Sequence, residues 1–331
     1  MKYLAPEWKR QCATIIAMPH KDSDWKPYLA EAQAKICEII TQITRFQSAI
    51  VLYKYESDIA NLKGQKNVIL LQIPLNDSWC RDFAPLSIIK RGKNKRKIIL
   101  TDFIFNAWGA KYPSDLDNVA GAQIFALLKE RKFFKNPIKF SQKNFILEGG
   151  SIETNGETLL TTTQCLLSPN RNRLSKGRIE RNLRKYLGVK NIIWLKNGYL
   201  AGDDTDSHID NLARFVDKKT IVYLKCYDKN DAHFRALAQM ERELQKTKFN
   251  LVPLPLPKAI YYDRQRLPAS YANFIFVNGA ILVPTFGDKN DKIVLEIFKK
   301  IVKNREIIPI DSRILIRQGG GLHCSTMNLM I

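Results

Sequence analysis

The feature that most constrains the fold of this chain is an internal repeat of about 62 residues. Four pairs of β-rich runs flank polar turns, and the turns centre near Gly92, Gly156, Asp217 and Gly279. Their separations are 64, 61 and 62 residues, and one fifth of the 331 residues is 66. Two of the turns are Asn-Gly pairs, which tolerate the positive φ of a tight hairpin. The spacing therefore predicts five related units.

Helical segments and extended apolar runs alternate between these hairpins. Apolar residues recur at helical spacing in five segments, which are 29–46, 118–133, 177–187, 230–246 and 290–303. An extended apolar run follows each helix, so the chain predicts five hairpin–helix–strand units around an axis. The fifth hairpin would combine residues 12–18 with the C-terminus, which avoids an open sheet edge. An open doubly wound sheet would need a glycine-rich phosphate loop after an early strand, and the sequence has none.

Composition excludes several classes of protein. The chain is 45% hydrophobic and contains no linker-like block, so it predicts one compact unit. Six cysteines stand far apart without a CxxC pair, which excludes a disulfide scaffold and a zinc finger. Charged residues Glu7, Lys9 and Arg10 occupy the place of a signal peptide's apolar stretch. We expect a soluble, cytoplasmic protein with free thiols and without a membrane partner.

The net charge is strongly positive, because 53 Lys and Arg face 32 Asp and Glu, which gives +21. This makes nucleic acid the first partner to consider. The charge concentrates in four segments, which are 90–97, 129–135, 171–185 and 299–305. No aromatic-interleaved basic motif or recognition helix accompanies them, so we favour solvated surfaces over a nucleic-acid partner. A catalytically inactive, nucleic-acid-binding propeller stays the alternative from a different functional class.

Residue types that carry chemistry recur at the junctions between units. Asp82, Glu148 and Asp210 are 66 and 62 residues apart, and His208 and Cys324 complete the set. A pseudo-symmetric array would bring them to one central mouth. A thiolate beside a histidine is a nucleophile with a proton-transfer partner, and paired carboxylates can grip a planar guanidinium. The set predicts nucleophilic attack on a bound guanidinium carbon.

Metal binding is the competing interpretation of the aspartate-rich segment 202–210. Its alternating Asp and His residues lack the central Gly and final Glu of a calcium loop. We expect no metal there. We also expect Cys80 to be a packing thiol, and Arg81 and Arg214 to form structural ion pairs beneath the site, because an exposed cation would repel a cationic substrate. His323 is expected to have a structural role.

Seven segments carry a more specific signal, and they stand in the order APEWKRQCATIIAMP (5–19), NDSWCRDFAP (76–85), FNAWGAKY (105–112), LEGGSIETNGETLLTTTQCLLSPNRN (147–172), DDTDSHIDNLARFV (203–216), LPASYANF (267–274) and GGGLHC (319–324). Together they resemble the agmatine deiminase family, which includes bacterial peptidylarginine deiminases of the same guanidine-modifying superfamily. The resemblance covers nearly the whole chain. It implies a five-bladed α/β propeller of pentein type, with a single catalytic domain over residues 1–331 and, by family resemblance only, a possible homodimer.

The resemblance also implies roles for the residues at the junctions. Cys324 would be the nucleophile and His208 the proton shuttle. Asp82 and Asp210 would clamp the guanidinium, and Glu148 would lie beside the histidine and the substrate nitrogens. A covalent S-alkylthiouronium would form on the cysteine, so neither a metal nor an organic cofactor is expected.

Further residues are expected at the substrate. Trp79 resembles the aromatic wall beside the guanidinium, and Trp108 is a secondary candidate at the mouth. Asp204 stands where a family acidic residue meets the substrate's distal amine, although Glu is common there and Asp is one methylene shorter.

The expected reaction is hydrolysis of agmatine to N-carbamoylputrescine and ammonia, toward putrescine. The alternative is a deiminase of arginine or peptidylarginine. Despite the net charge of +21, we expect a locally acidic mouth.

Overall fold

A computed structural model describes residues 2–92 and 96–330 of the chain. It has a mixed α/β fold, and these residues form six sheets. Five of the sheets share one pattern, in which two antiparallel strands are followed by a helix and a third strand parallel to the second. This pattern confirms the predicted order of hairpin, helix and strand.

The five units are numbered here along the chain, except that unit 5 contains both chain ends. Each unit is given as its two hairpin strands, its helix and its last strand. Unit 1 consists of Leu86–Arg91, Arg96–Ile104, Asp117–Glu130 and Lys139–Ile146, and unit 2 of Ile152–Thr154, Thr158–Thr162, Lys176–Leu187 and Asn191–Leu195. Unit 3 consists of Ala213–Phe215, Thr220–Lys225, Phe234–Gln245 and Asn250–Pro255, unit 4 of Ile275–Val277, Ala280–Thr285, Asn290–Ile301 and Glu306–Asp311, and unit 5 of Thr326–Met330, Gln11–Ala17, Leu29–Thr44 and Ser48–Tyr53.

Smaller elements complete the described chain. Strand Lys2–Leu4 pairs with the edge of unit 1, and Val68–Gln72 extends unit 5. The sixth sheet is a short hairpin of Tyr261–Tyr262 and Gln265–Arg266. Short helices lie between the units at Glu56–Leu62, Cys80–Phe83, Gly149–Ser151, Ile209–Asn211 and Leu315–Gln318. Others lie inside a unit, just ahead of its long helix, at Lys26–Tyr28, Ala107–Ala110 and Thr163–Leu166. None of the helices in residues 2–92 and 96–330 is both long and apolar enough to cross a membrane.

The fifth unit joins the two ends of the chain. Strand Thr326–Met330 pairs antiparallel with Gln11–Ala17, so the predicted hairpin of N- and C-terminal segments is confirmed. The turns at Gly156, Asp217 and Gly279 lie between paired strands, also as predicted. The tip of the first predicted hairpin, at residues 93–95, lies outside the described residues.

The helices pack their predicted apolar faces against the sheets. In helix Leu29–Thr44, the side chains of Ile36, Ile39, Ile40 and Ile43 are all buried. The helix predicted over 230–246 begins only at Phe234, because the residues before it form turns. Burial of such a side chain contributes about 1.5–3 kcal/mol, so these faces hold the helices on the sheets.

Polar contacts join each unit to the next. Units 1 and 2 are connected by Asp82, which accepts from Gly150 N at 2.8 Å, and units 2 and 3 by Glu153, which accepts from Arg214 Nε at 2.7 Å. Units 3 and 4 are connected by Asn211 Oδ1, which accepts from Asn273 Nδ2 at 2.8 Å, and units 4 and 5 by Gln11 O, which accepts from Asn278 Nδ2 at 2.9 Å. Units 5 and 1 are connected by Ser87 Oγ, which accepts from Met330 N at 3.1 Å. Residues between the units are therefore held near one another, although they are distant in sequence.

Two glycines with nearly the same backbone conformation provide a test of this packing. Gly188 ends helix Lys176–Leu187 at φ +71, and a Cβ there would lie 2.1 Å from the backbone oxygen of Lys2. Gly64 has φ +76, and no atom lies within 4 Å of the point that a Cβ would occupy there. Left-handed backbone costs an L-residue roughly 1–2 kcal/mol, and steric overlap with backbone adds about 1–3 kcal/mol.

We expect Gly188→Ala to lower the free energy of unfolding by roughly 2–5 kcal/mol and Gly64→Ala by roughly 1–2 kcal/mol. Urea unfolding followed by circular dichroism measures both values. Equal losses would contradict the close approach of the N-terminal strand to this helix.

Candidate active site

An acidic cleft of about 420 Å³ opens between the units, and Cys324 lies in its wall. Its lining residues are Asp24, Asp77, Trp79, Asp82, Trp108, Tyr112, Asp204, Thr205, Gln318, Gly319, Gly320 and Cys324. Four of them are aspartates, and none of the described lining residues is Lys or Arg. The cleft is therefore acidic in a chain of net charge +21, as the sequence led us to expect.

Two of the three consecutive glycines ahead of Cys324 stand where no side chain fits. A Cβ on Gly320 would lie 2.5 Å from the ring of Trp79, and one on Gly321 would lie 2.4 Å from Asn273 Oδ1. The turn brings the thiol to 3.3 Å from Asn273 Nδ2 and 3.7 Å from Asp210 Oδ2. Burial, Asp210 and Asp82 all raise the pKa of Cys324, which favours the thiol over the thiolate.

Asp82 lies just ahead of unit 1 and Asp210 just ahead of unit 3, and both carboxylates approach Gly150. A Cβ on Gly150 would lie 3.0 Å from an oxygen of each carboxylate and 2.6 Å from His208 Nδ1, so this glycine leaves room for all three. Asp82 accepts from Gly150 N at 2.8 Å and from Trp108 Nε1 at 2.9 Å. Asp210 Oδ1 is buried and has no hydrogen-bond partner among the described residues. An unpaired buried carboxylate oxygen is expensive, which indicates a place for a donor from a ligand.

The pKa values of these two carboxylates shift in opposite directions. Burial raises the pKa of Asp82, and the opposing effects of His208 and Trp108 do not cancel it. Burial also acts on Asp210, but His323, His208 and Arg214 together outweigh it and lower the pKa of Asp210. Asp210 is therefore the more firmly ionised of the pair.

His208 is fully buried beside two acids. Its Nδ1 lies 3.8 Å from Asp82 and its Nε2 lies 3.9 Å from Glu148, and neither nitrogen has a hydrogen-bond partner in the described part of the chain. Burial opposes the charged ring, but Asp82 and Glu148 raise the pKa of His208 well above its usual value. A protonated imidazole with free N–H groups can deliver a proton to a leaving group.

Glu148 is held by a residue that sequence reasoning missed. Arg171 Nε donates to both carboxylate oxygens at 2.9 Å, and Arg171 Nη1 donates to Asp206 at 2.6 Å. Burial opposes ionisation of Glu148, but His208 and Arg171 together lower its pKa. Arg171 stands in the segment 147–172 that carries the family resemblance. The spacing of residues along the sequence, however, does not predict its ion pair with Glu148.

One group in the described residues has the composition of a metal site. Single ligand atoms of Glu148, Cys165 and His208 lie within 4.8 Å of one another. Both oxygens of Glu148 already accept from Arg171, whose guanidinium would repel a metal cation. We therefore assign no metal to this group. In segment 202–210, Asp203 accepts from Thr205 and Ser207 of its own loop. The other aspartates accept from outside the loop, namely Asp204 from Tyr112, Asp206 from Arg171 and Asp210 from His323.

The mouth of the cleft contains Asp204. Its Oδ2 accepts from Tyr112 OH at 2.6 Å, while Lys111 Nζ bonds to the backbone oxygen of Asp204 and lies 2.8 Å from Asp206. Trp79 and Trp108, both named from the sequence, line the same cleft. Sequence reasoning did not identify Asp24, Asp77 and Tyr112. Asp77 and Tyr112 stand in the quoted segments 76–85 and 105–112, but only the folded chain brings the three residues together.

The predicted supporting residues lie where they were expected. Arg81 and Arg214 form buried ion pairs with Glu7 at 2.8 and 2.7 Å, and neither lines the cleft. Cys80 is buried, with its thiol near the backbone oxygens of Ile15 and Ser325. Cys324 is therefore the one cysteine among the described residues that lines this cleft.

The arrangement combines a cation site with a nucleophile. Ionised Asp210, with one unpaired oxygen, lies 3.7 Å from a thiol, and a buried histidine stands between two further carboxylates. A bound planar cation would satisfy the free oxygen and lower the pKa of the thiol. The geometry therefore suits covalent chemistry on a cationic carbon centre.

Comparisons with known proteins agree with this geometry. The family model described as Porphyromonas-type peptidyl-arginine deiminase matches residues 3–329. An agmatine deiminase of Medicago truncatula is 30% identical over 98% of this chain and 95% of its own length. A Cys-to-Ser variant of the C. jejuni agmatine deiminase, solved with substrate bound, is 44% identical with a TM-score of 0.93 and covers 100% of this chain and 97% of that chain. The agmatine deiminase of Enterococcus faecalis has the same fold, with a TM-score of 0.87 at 24% identity over 99% of this chain and 96% of that chain.

The charge of Asp82 gives a test of the site that needs no substrate. Its carboxylate is one of the groups that raise the pKa of Cys324, after burial and Asp210. We expect Asp82→Asn to speed alkylation of Cys324 by iodoacetamide about threefold to tenfold at about pH 8, because more thiolate forms. Mass spectrometry of the Cys324 peptide measures the rate.

Asp77→Asn is the matched control, because it removes a different carboxylate from the same cleft. We expect a rate near that of the unsubstituted protein. An unchanged or slower rate in Asp82→Asn would contradict the electrostatic link between Asp82 and the thiol.

Proposed function

The chain belongs to the Porphyromonas-type peptidyl-arginine deiminase family, and from this premise we propose that it is an agmatine deiminase. The reaction is hydrolysis of a C–N bond, in which agmatine and water give N-carbamoylputrescine and ammonia. The observation that carries the proposal is the acidic cleft lined by Cys324 and Asp82, behind which Asp210 lies 3.7 Å from the thiol through Oδ2 and keeps Oδ1 unpaired among the described residues. A small guanidinium with a second positive charge fits the electrostatics of that cleft.

Substrate binding prepares the nucleophile. Asp82 and Asp210 grip the guanidinium N–H groups, and the planar cation stacks beside Trp79. Both carboxylates otherwise raise the pKa of Cys324, so the bound cation offsets their effect and favours the thiolate. The substrate thereby helps to activate its own attacker.

Bond changes at the guanidinium carbon then proceed in two stages. The Cys324 thiolate adds to the carbon, and His208 gives a proton to the departing nitrogen, which leaves as ammonia. Water, deprotonated by His208, adds to the resulting S-alkylthiouronium. The C–S bond then breaks as the hydroxyl of the adduct gives its proton to the leaving sulfur, which releases the neutral ureido product and restores the thiol of Cys324. Glu148, held by Arg171, orients His208 and favours its protonated form before the first proton transfer.

The far end of the substrate meets the mouth of the cleft. Asp204, oriented by Tyr112, is proposed to accept from the distal ammonium, and Asp24 and Asp77 add negative charge nearby. Trp108 forms part of the wall and donates to Asp82. An acidic mouth favours agmatine over arginine, because the carboxylate of arginine would be repelled there.

The same premise extends to the architecture. We propose that the five units form the blades of an α/β propeller and that residues 1–331 are one catalytic domain. The polar contacts that connect each unit to the next, and unit 5 to unit 1, support this arrangement. Homodimer formation, a cytoplasmic location and a place in putrescine synthesis stay predictions.

A substrate panel with a matched pair of cysteine variants tests the function. We expect release of ammonia and a ureido product from agmatine, and loss of at least about 1,000-fold in kcat with Cys324→Ala, because the covalent route is removed. Cys80→Ala should keep activity, because its thiol is buried away from the cleft. Turnover of arginine or a peptidylarginine in place of agmatine would overturn the substrate assignment, and full activity of Cys324→Ala would overturn the mechanism.

The pH profile tests the role of Trp108. Its indole N–H donates to Asp82 and lowers the pKa of that carboxyl, against the larger effect of burial. Without this donor the pKa rises further, so ionised Asp82 is lost at a higher pH. We expect Trp108→Phe to move the acid limb of kcat/KM for agmatine upward by about 0.5–1 unit.

Tyr112→Phe provides the comparison, because it removes a hydroxyl that bonds to Asp204 rather than to Asp82. Its acid limb should stay where it is in the unsubstituted protein. A common shift in both variants would argue against a specific effect on Asp82.

A further inference from the structure

A largely buried carboxylate outside the cleft, with 12% of its side chain exposed, connects to the candidate active site. Glu7 lies in the N-terminal segment between strands Lys2–Leu4 and Gln11–Ala17. Its Oε1 accepts from Arg81 Nη1 and His323 Nε2, both at 2.8 Å, and its Oε2 accepts from Arg214 Nη2 at 2.7 Å. Burial opposes ionisation, but Arg81, His323 and Arg214 hold the pKa of Glu7 well below its usual value.

The ring of His323 bridges two carboxylates. Its Nε2 faces Glu7 at 2.8 Å, and its Nδ1 faces Asp210 Oδ2 at 2.7 Å. Both acids are ionised and can only accept hydrogen bonds, so both ring nitrogens must donate. A histidine that donates from both nitrogens carries two ring protons and a positive charge.

This bridge gives the two oxygens of Asp210 different hydrogen-bond environments. Oδ2 is occupied by His323 and lies 3.7 Å from the thiol of Cys324, whereas Oδ1 has no hydrogen-bond partner among the described residues. Fixing one oxygen fixes the direction of the other. His323 also precedes Cys324 directly, and its backbone N–H donates to Asn273 Oδ1 at 2.7 Å, so ring and main chain are held together.

We propose that Glu7 and His323 are positioning residues for the reaction, in which Glu7 orients His323 and His323 fixes Asp210 with one oxygen free for the guanidinium. This inference rests on the proposed function. It assigns to the N-terminal segment, remote from the cleft, an effect on substrate affinity. Neither residue contacts the substrate, so both act through Asp210.

The charges around Asp210 determine the expected pH dependence. His323, His208 and Arg214 are cations that face it, and Asp82 and the thiol of Cys324 face it from the cleft. After the opposing effect of burial, His323 is the largest influence that lowers the pKa of Asp210. Weakening His323 therefore raises that pKa, so the ionised form that binds substrate is lost at a higher pH.

The chain offers a matched control for Glu7. Glu153 is also buried and also accepts from Arg214, at 2.7 Å through Nε, but no hydrogen bond connects it with His323 in the described structure. Glu7→Gln and Glu153→Gln therefore remove one buried carboxylate each from the same cluster of charges. A purely structural effect would be similar in both.

Kinetics with agmatine test the proposal. We expect Glu7→Gln to raise KM about 10- to 100-fold, with a smaller change in kcat, and to move the acid limb of kcat/KM to higher pH. His323→Ala should do the same, and His323→Asn should restore part of the lost affinity, because its amide can still donate to Asp210. Glu153→Gln should lower stability in urea but change KM and the acid limb much less, because its charge acts on His323 without a hydrogen bond.

Equal effects of Glu7→Gln and Glu153→Gln on KM and the acid limb would overturn the proposal. An activity-independent measurement separates it from the proposed function. Long-range proton–nitrogen spectra of the four histidines should show two protonated nitrogens on His323 at about pH 7. A neutral His323 would overturn the proposal. If the spectra show the charged ring but agmatine is not hydrolysed, the proposed function fails and the bridge itself stands.

Discussion

The pairing of the two chain ends is the interaction on which the candidate site depends. Strand Thr326–Met330 lies against Gln11–Ala17, and these strands form the hairpin of a unit that neither terminus could build alone. The pairing places Cys324, just before one strand, near Glu7, just before the other. Contacts to unit 1 and unit 4 then join this unit to its neighbours. The catalytic thiol and its supporting charges therefore exist as a group only once the ends have met.

Charge compensation explains how so many acids can be buried together. Glu7, Glu148 and Glu153 each accept from a buried arginine, and Asp210 accepts from a histidine. Removing one member of such a set would leave an uncompensated charge, which is expensive in an apolar surrounding. Two exceptions are informative, because within the described residues the Oδ1 of Asp210 and the ring nitrogens of His208 lack hydrogen-bond partners where a cationic substrate is proposed to bind. The net positive charge of the chain does not determine the local charge of the cleft, because the cleft itself is lined by aspartates.

Much of the architecture could be predicted because its signals are local. The Asn-Gly turns and the spacing of apolar residues identified the hairpins and helices, and their period identified the fifth hairpin, which the strand pairing confirms. Helix starts were less predictable, as in unit 3, where the helix begins at Phe234 rather than at 230. The residues ahead of that helix are mostly polar, and polar residues occur both in turns and in the first turn of a helix. The apolar pattern alone therefore could not locate the start of the helix.

The sequence by itself determined the repeat, the residue types that could react and, through the resemblance, the order in which they stand. It could not determine which acid meets which cation, because such pairs join residues as far apart as Glu7 and His323, which are separated by 316 positions. Arg171 beside Glu148 and Trp108 beside Asp82 are likewise results of folding. Only the tertiary structure decided these partners, since electrostatic and hydrogen-bond energies depend on distances of a few ångströms that sequence spacing does not encode.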